Sequence, residues 1–176
     1  MHNCAQTPGM SVYEHGSDVW KHAKQLISGD TASFKLPTWY TENLDYITSN
    51  IYNSHILESY TTFHDCGKPY CVEIDSEGRS HFPDHANVSK ALWDTFFPDD
   101  VEVSTLIGLD MVMHTETAKE ITDRNLDIKT SLTLLVVALA ELHSNANMFG
   151  GIDSLSFKIK WKKLNKRGNM ICKEIS

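Results

Sequence analysis

Long apolar runs are missing from this chain of 176 residues. The longest, LTLLVVALA at 132–140, is interrupted by Thr133 and followed by Glu141 and His143. It is well short of the ~18–20 residues that span a bilayer, so it reads as a core helix. Paired cysteines are missing too. Cys4, Cys66, Cys71 and Cys172 form no CxxC, which argues against a cysteine zinc site and for free thiols. The opening MHNCAQTPGMSVYEHG has no basic stretch leading into an apolar one, so no signal peptide is expected. The expectation is a cytoplasmic protein with no membrane partner. There is no internal repeat and no low-complexity tract. With 41% apolar and 22% charged residues, the composition excludes disordered and fibrous classes.

The length suits one domain with a well-buried core. Its expected extent is 1–176, with a core at about 11–150 and a basic appendix at 151–176. Basic residues are scarce except in that appendix. Residues 157–176 contain seven Lys/Arg and one Glu, a local charge of +6, while the rest of the chain carries −13 within a net −7.

Periodicity predicts an all-α helical bundle with a short β-like appendix near the C-terminus. Val12, His15, Val19, His22 and Leu26 recur at steps of three and four, one face of a helix over 11–27 with Ser11 as N-cap. TENLDYITSNIYNSHILESYTTF predicts a second helix ending at His64-Asp65, stopped by Gly67 and Pro69. CVEIDSEGRSHF predicts a short hairpin or irregular loop. DHANVSKALWDTFF, VSTLIGLDMVMHTETAKEI and DIKTSLTLLVVALAELHSNANMF each predict a further helix, the middle one with Asp110 and His114 four apart on one face. SFKIKWKKL alternates Phe157, Ile159 and Trp161 with lysines, the period of a strand.

Histidines fall at strategic points of these helices: His15, His64, His85, His114 and His143. Neutral imidazole is the commonest protein metal ligand, and the carboxylate of Asp65 beside His64 adds a hard oxygen donor. In a bundle such ligands converge from facing helices.

The order EHGSDV, FHDCGKP, HFPDHA, MVMHTE and then a long apolar helix, over residues 11–145, resembles the HD-domain metal-dependent phosphohydrolases. The resemblance implies an all-helical fold whose His-Asp pair and outlying ligands hold one or two divalent ions (Mn, Fe, Co, Ni, Zn or Mg) and cleave phosphoester bonds. It implies His15 as first ligand, His64 and Asp65 as central doublet, and His85 and His114 as supplementary ligands. The family ends its set with an Asp on the last core helix, where ALAELHSNA offers Glu141; Asp110, one turn before His114, competes for that role. His22 and His55 read as core or surface residues, and His81 as a loop residue near the mouth that touches substrate. Asp65 would orient an attacking water. Lys68 would either hold a nonbridging phosphate oxygen or be a solvated cation at a helix C-terminus. The doublet is expected to be exposed at the cavity rim.

Three function classes follow. The first is a phosphatase or phosphodiesterase acting on a nucleotide or nucleotide-like phosphoester. The second is a catalytically idle HD fold serving as a binding or regulatory module. The third is a nucleic-acid-associated factor that uses the basic appendix.

Overall fold

The computed structural model describes residues 1–7 and 9–173. In chain order the elements are β1 (Ala5–Thr7), β2 (Met10–Ser11), α1 (Val12–Ser28), α2 (Thr38–Glu42), α3 (Leu44–Asn50) and α4 (Ser54–Phe63), then β3 (Glu73–Ile74), β4 (Ser80–His81) and α5 (His85–Phe96). They continue with α6 (Val101–Gly108), α7 (Val112–Thr115), α8 (Ala118–Asp123), α9 (Ile128–Ser144) and α10 (Leu155–Cys172). The fold is all-α, with two small antiparallel ribbons, β1–β2 and β3–β4. No helix among the described residues is long and apolar enough to cross a membrane.

The chain forms two compact units: one of Met1–Trp20 and Ser54–Asp110, the other of Lys21–Asn53 and the chain from Met111 onward. In the first unit, Ser11 and Glu14 exchange side-chain and backbone hydrogen bonds, the capping box that starts α1 where Ser11 was expected to cap it. The β3–β4 hairpin pairs Glu73 with His81 and Ile74 with Ser80, in the stretch where one was expected. Its turn is built by Gly78 at φ +77° and by the Asp75 carboxylate, which accepts from the Glu77 and Arg79 amides. The β1–β2 ribbon pairs Ala5 with Ser11 and Thr7 with Met10, joining residues before the expected core to its first residue. In the second unit, α9 is buried on every side from Thr130 to Ala140, as a helix that is mostly apolar all round requires, with Thr130, Ser131 and Thr133 buried among its apolar residues. Asp127 caps it by accepting from the Thr130 amide at 2.9 Å.

Three sequence expectations are corrected. The helix expected to run unbroken into His64 is divided into α2, α3 and α4, with Ile51 extended at ψ 169°. Asn43 and Asn50 each donate to the carbonyl four residues back, the local competition that makes asparagine a helix breaker. The helix expected over 103–121 is α6, α7 and α8. Thr117 and Glu120 form a capping box that starts a new helix, and Asp110 lies in the turn after α6, so it shares no helix face with His114.

The β-like appendix is the 18-residue helix α10. Phe157, Leu164, Gly168, Ile171 and Cys172 are buried at helical spacing, and the alternation of Phe157, Ile159 and Trp161 was too short a window to reveal that period. Ser154 caps α10, and the Trp161 indole donates to the Lys35 carbonyl at 2.8 Å. Gly168 allows the approach of Trp39, whose ring lies 2.3 Å from where a Cβ would be.

Candidate metal centre

The doublet continues the path of α4. The His64 amide donates to the Tyr60 carbonyl at 2.8 Å, and the Lys68 amide to the Asp65 carbonyl at 3.0 Å, which turns the chain into a single 3-10 turn, Lys68–Tyr70. Gly67 has φ −78°, so it does not act as a left-handed helix stop. Its function is close approach: a Cβ there would lie 2.4 Å from the Ser89 nitrogen on α5. The Gly67 amide instead donates to Ser89 Oγ at 2.8 Å, fixing α5 against the turn. Gly16 does the same for α1, since its Cβ would lie 2.3 Å from the Thr62 carbonyl oxygen on α4. These two contacts bring His15 and His85 to the doublet.

The carboxylate of Asp65 is the hub. Its Oδ2 lies 3.2 Å from His64 Nε2 and 3.8 Å from His15 Nε2, and its Oδ1 lies 3.4 Å from His85 Nε2. His15 is 0% exposed, and His64 and Asp65 are each 1% exposed, so the doublet is interior and the expected exposed rim is corrected. Two of these imidazoles, His64 and His85, are oriented from behind. His64 Nδ1 lies 2.7 Å from the Thr61 carbonyl and His85 Nδ1 lies 3.0 Å from the Phe82 carbonyl. A carbonyl only accepts, so each Nδ1 carries the proton. In the neutral rings, Nε2 therefore presents its lone pair toward Asp65. Such backbone anchoring is how ligating histidines are held.

Lys68 is the other charge at this hub. Its Nζ donates to Asp65 Oδ2 at 2.6 Å and to Gln6 Oε1 at 2.9 Å, and it lies 5.3 Å from the Phe82 ring centroid. At 7% exposure it is not the solvated cation that a helix C-terminus would suggest. Gln6, on β1, was not legible as a site residue, because nothing in AQT marks it.

The remaining sequence-derived residues are placed as follows. Asp110 is buried and accepts from the Tyr60 hydroxyl at 2.7 Å; the Tyr60 ring is in edge contact with the His64 ring. In the second unit, His114 Nε2 lies 2.9 Å from Glu141 Oε2, a nitrogen and an oxygen donor side by side. His81 is exposed on the β3–β4 hairpin and bonds Asp75 Oδ2 at 2.8 Å, so its ring is engaged within the hairpin. That contact, with the Arg79 bonds, holds the Asp75 carboxyl far below the usual carboxylate range. His143 donates from Nδ1 to the Leu139 carbonyl and accepts at Nε2 from the Lys35 amide. Both nitrogens are thus engaged in a neutral ring, whose pKa is lowered chiefly by burial.

Groups of His, Asp and Glu that could hold a metal ion are present among the described residues, with the buried His15 and His64 among their members. The donor chemistry fits a divalent ion: three imidazole nitrogens and one carboxylate suit the borderline metals. The separations of 3.2–3.8 Å are ones that donors sharing one ion adopt when each bond is about 2.0–2.2 Å long.

A residue that the sequence analysis missed is Arg167. In a basic stretch it reads as one more surface cation, yet it is only 7% exposed. Its Nε donates to the Glu116 carbonyl at 2.6 Å and its Nη2 to the His114 carbonyl at 3.4 Å. It thus satisfies carbonyls at the end of α7, the helix that carries His114. Burial pulls its guanidinium pKa down against the attraction of Glu116. Arg167→Met should lower unfolding stability by about 2–3 kcal/mol, because the carbonyls lose their buried donors. Arg167→Lys should recover less than half of that, lacking the fork. Urea denaturation checks both, and a Met variant within 0.5 kcal/mol of the parent would contradict the assignment.

Compared with models of known protein families, with curated proteins and with solved structures, the chain has no match.

Proposed function

We propose that the protein is a metal-dependent phosphohydrolase that cleaves a phosphoester bond of a nucleotide or nucleotide-like substrate. The observation that carries this reading is the convergence of His15, His64 and His85 Nε2 on the one buried carboxylate of Asp65. In this reading those four residues hold a divalent cation. The cation supplies positive charge opposite the phosphoryl oxygens and brings the pKa of a water toward ~7.

The protein side chains do the positioning. Asp65 orients the attacking water through the carboxylate oxygen that faces it. Lys68, already fixed by Asp65 and Gln6, has three ammonium donors and uses two of them on these partners. The third is directed to a nonbridging phosphate oxygen. Tyr60, bonded to Asp110, packs its ring edge against His64 and keeps the imidazole from rotating. Burial of the doublet strengthens each of these interactions relative to water.

The test is metal analysis of the purified protein, followed by nucleoside mono-, tri- and cyclic phosphates with Mn²⁺, Co²⁺, Ni²⁺, Zn²⁺ and Mg²⁺, scored for hydrolysis. Turnover with at least one metal is expected, reduced at least ~100-fold in His64→Ala with helical content unchanged. Stoichiometry distinguishes one ion from two. Stable metal binding without turnover on any substrate would favour a binding module instead.

A further inference from the structure

The outer face of α10 joins apolar and cationic side chains. Turned away from the buried Phe157, Leu164 and Ile171 are Leu155, Ile159, Lys162 and Lys166, at steps of four, three and four that keep them on one side of the helix. Leu155 is 75% exposed and Ile159 49% exposed, so the stripe is apolar at its start and basic beyond. Lys163 and Lys158 flank it, the latter with Nζ 3.7 Å from Asp153 Oδ1. Lys162, Lys163 and Lys166 take part in no salt bridge among the described residues.

The first unit carries the opposite combination. An open cleft of about 470 Å³ has walls that include Ile56, Phe96, Phe97, Asp99, Asp100 and Glu102. Among the described residues no lysine or arginine lines it, and His55 is its one basic side chain. Phe96 is 68% exposed, and Val101, between Asp100 and Glu102, is 64% exposed. Apolar surface framed by charge is the anatomy of a protein–protein contact. Asp100 has a local task, since it caps α6 by accepting from the Val103 amide at 3.4 Å. Asp99 and Glu102 have none of that kind, and neither takes part in a salt bridge among the described residues.

We infer that the protein associates with itself, the 155–166 face of α10 in one copy docking on the 96–102 surface of another. Leu155 and Ile159 cover the aromatic walls, and a cleft of this volume has room for both, since a cavity of ~150 Å³ already takes a benzene ring. Lys162 and Lys166 then meet Asp99 and Glu102. Charge favours a second copy as the occupant from a distance as well: residues 157–176 carry +6 and the rest of the chain −13, so the basic helix of one molecule is drawn to the acidic body of the next. The contact is heterologous, with a different surface on each side. It stands independently of the metal reading.

Sedimentation velocity of the full chain tests it, because a heterologous contact can be broken from either side. The parent should associate at low ionic strength, and high salt should weaken that association at least ~10-fold. Lys162→Glu/Lys166→Glu and Asp99→Asn/Glu102→Gln should each weaken it at least ~5-fold, two charges being lost or reversed in each. An equimolar mixture of the two variants, with one of them fluorescently labelled, should recover a 1:1 complex, since each brings the half that the other lacks. Leu155→Ser and Phe96→Ser, single changes at exposed side chains, should act in the same direction and replace a double variant that folds poorly. The inference is overturned if the parent is monomeric at low salt up to about 1 mM, if either variant associates as the parent does, or if the mixture associates no better than its components. A monomeric parent that binds single-stranded RNA or anionic vesicles through Lys162 and Lys166 overturns it as well, and gives the α10 face to that partner.

Discussion

Asp65→Asn should bind divalent metal so weakly that the purified variant carries almost none, and should be less stable than the parent by about 3–5 kcal/mol. The two losses have different causes. Metal affinity falls because a charged oxygen donor becomes a neutral amide, and the drop should exceed the roughly 10–100-fold that loss of an outer partner costs. Stability falls because Lys68 is 7% exposed and donates to Asp65 Oδ2 at 2.6 Å, so the substitution leaves a buried ammonium without its anion. The double variant Asp65→Asn/Lys68→Met separates them. It should recover most of the stability and none of the metal affinity. Metal titration and urea denaturation of the four proteins in this cycle measure both quantities. Retained metal in Asp65→Asn would place the ion elsewhere, and no recovery in the double variant would mean that the ion pair is not what the single variant loses.

The second large effect comes from residues with no side chain. Gly16→Ala places a carbon 2.3 Å from the Thr62 carbonyl oxygen, and Gly67→Ala places one 2.4 Å from the Ser89 nitrogen. Both obstacles are backbone, so α1 or α5 must move, and with it His15 or His85. Alanine gains about 1 kcal/mol of helix propensity over glycine, but overpacking costs typically ~1–3 kcal/mol, so Gly16→Ala should be destabilised on balance. Each variant should lose at least ~10-fold in metal affinity, because the ligand set is spread. Gly108→Ala is the control. The three atoms nearest its added carbon are Lys90 Cδ at 2.8 Å and Lys90 Cγ and Cε at 3.5 Å, all in a flexible side chain that can swing away. It should stay within about 1 kcal/mol of the parent with its metal affinity intact. If all three alanines behave alike, close helix approach is not what assembles the site.

These glycines show where the sequence was readable and where it was not. The all-α class was legible because Val12, His15, Val19 and Leu26, and the apolar residues of α9, repeat over several turns, long enough for a period to be unambiguous. The union of His15, His64, Asp65 and His85 was legible from residue type, since few side chains offer donors to a metal. The reason for the union was not. Gly67 reads as a helix stop, and only its φ of −78° and its distance to Ser89 reveal a packing role. Gln6 and Arg167 were invisible for a related reason: long-range partners give a residue its function without changing its local pattern. The strand expected at Phe157–Trp161 failed because five residues of alternation fit a lysine-rich helix equally well, and only the wider spacing of Phe157, Leu164 and Ile171 decides. The breaks at Ile51 and Thr117 were missed because apolar spacing persisted across them while asparagine side chains and a capping box ended the backbone pattern.

The burial of α9 on all its faces also sets a clock for the protein. A helix with one wet face lets its outer amides trade protons with solvent through small local openings, whereas Thr130 to Ala140 has no such face. Its amides exchange with deuterium only when the unit around them comes apart. Mass spectrometry of deuterated protein should therefore find the slowest peptide of the second unit in α9, with an exchange rate that reports the opening free energy of the whole unit. His114 is paired to Glu141 on this helix, so ligands that tighten the pair will be read as a slowing of that same peptide.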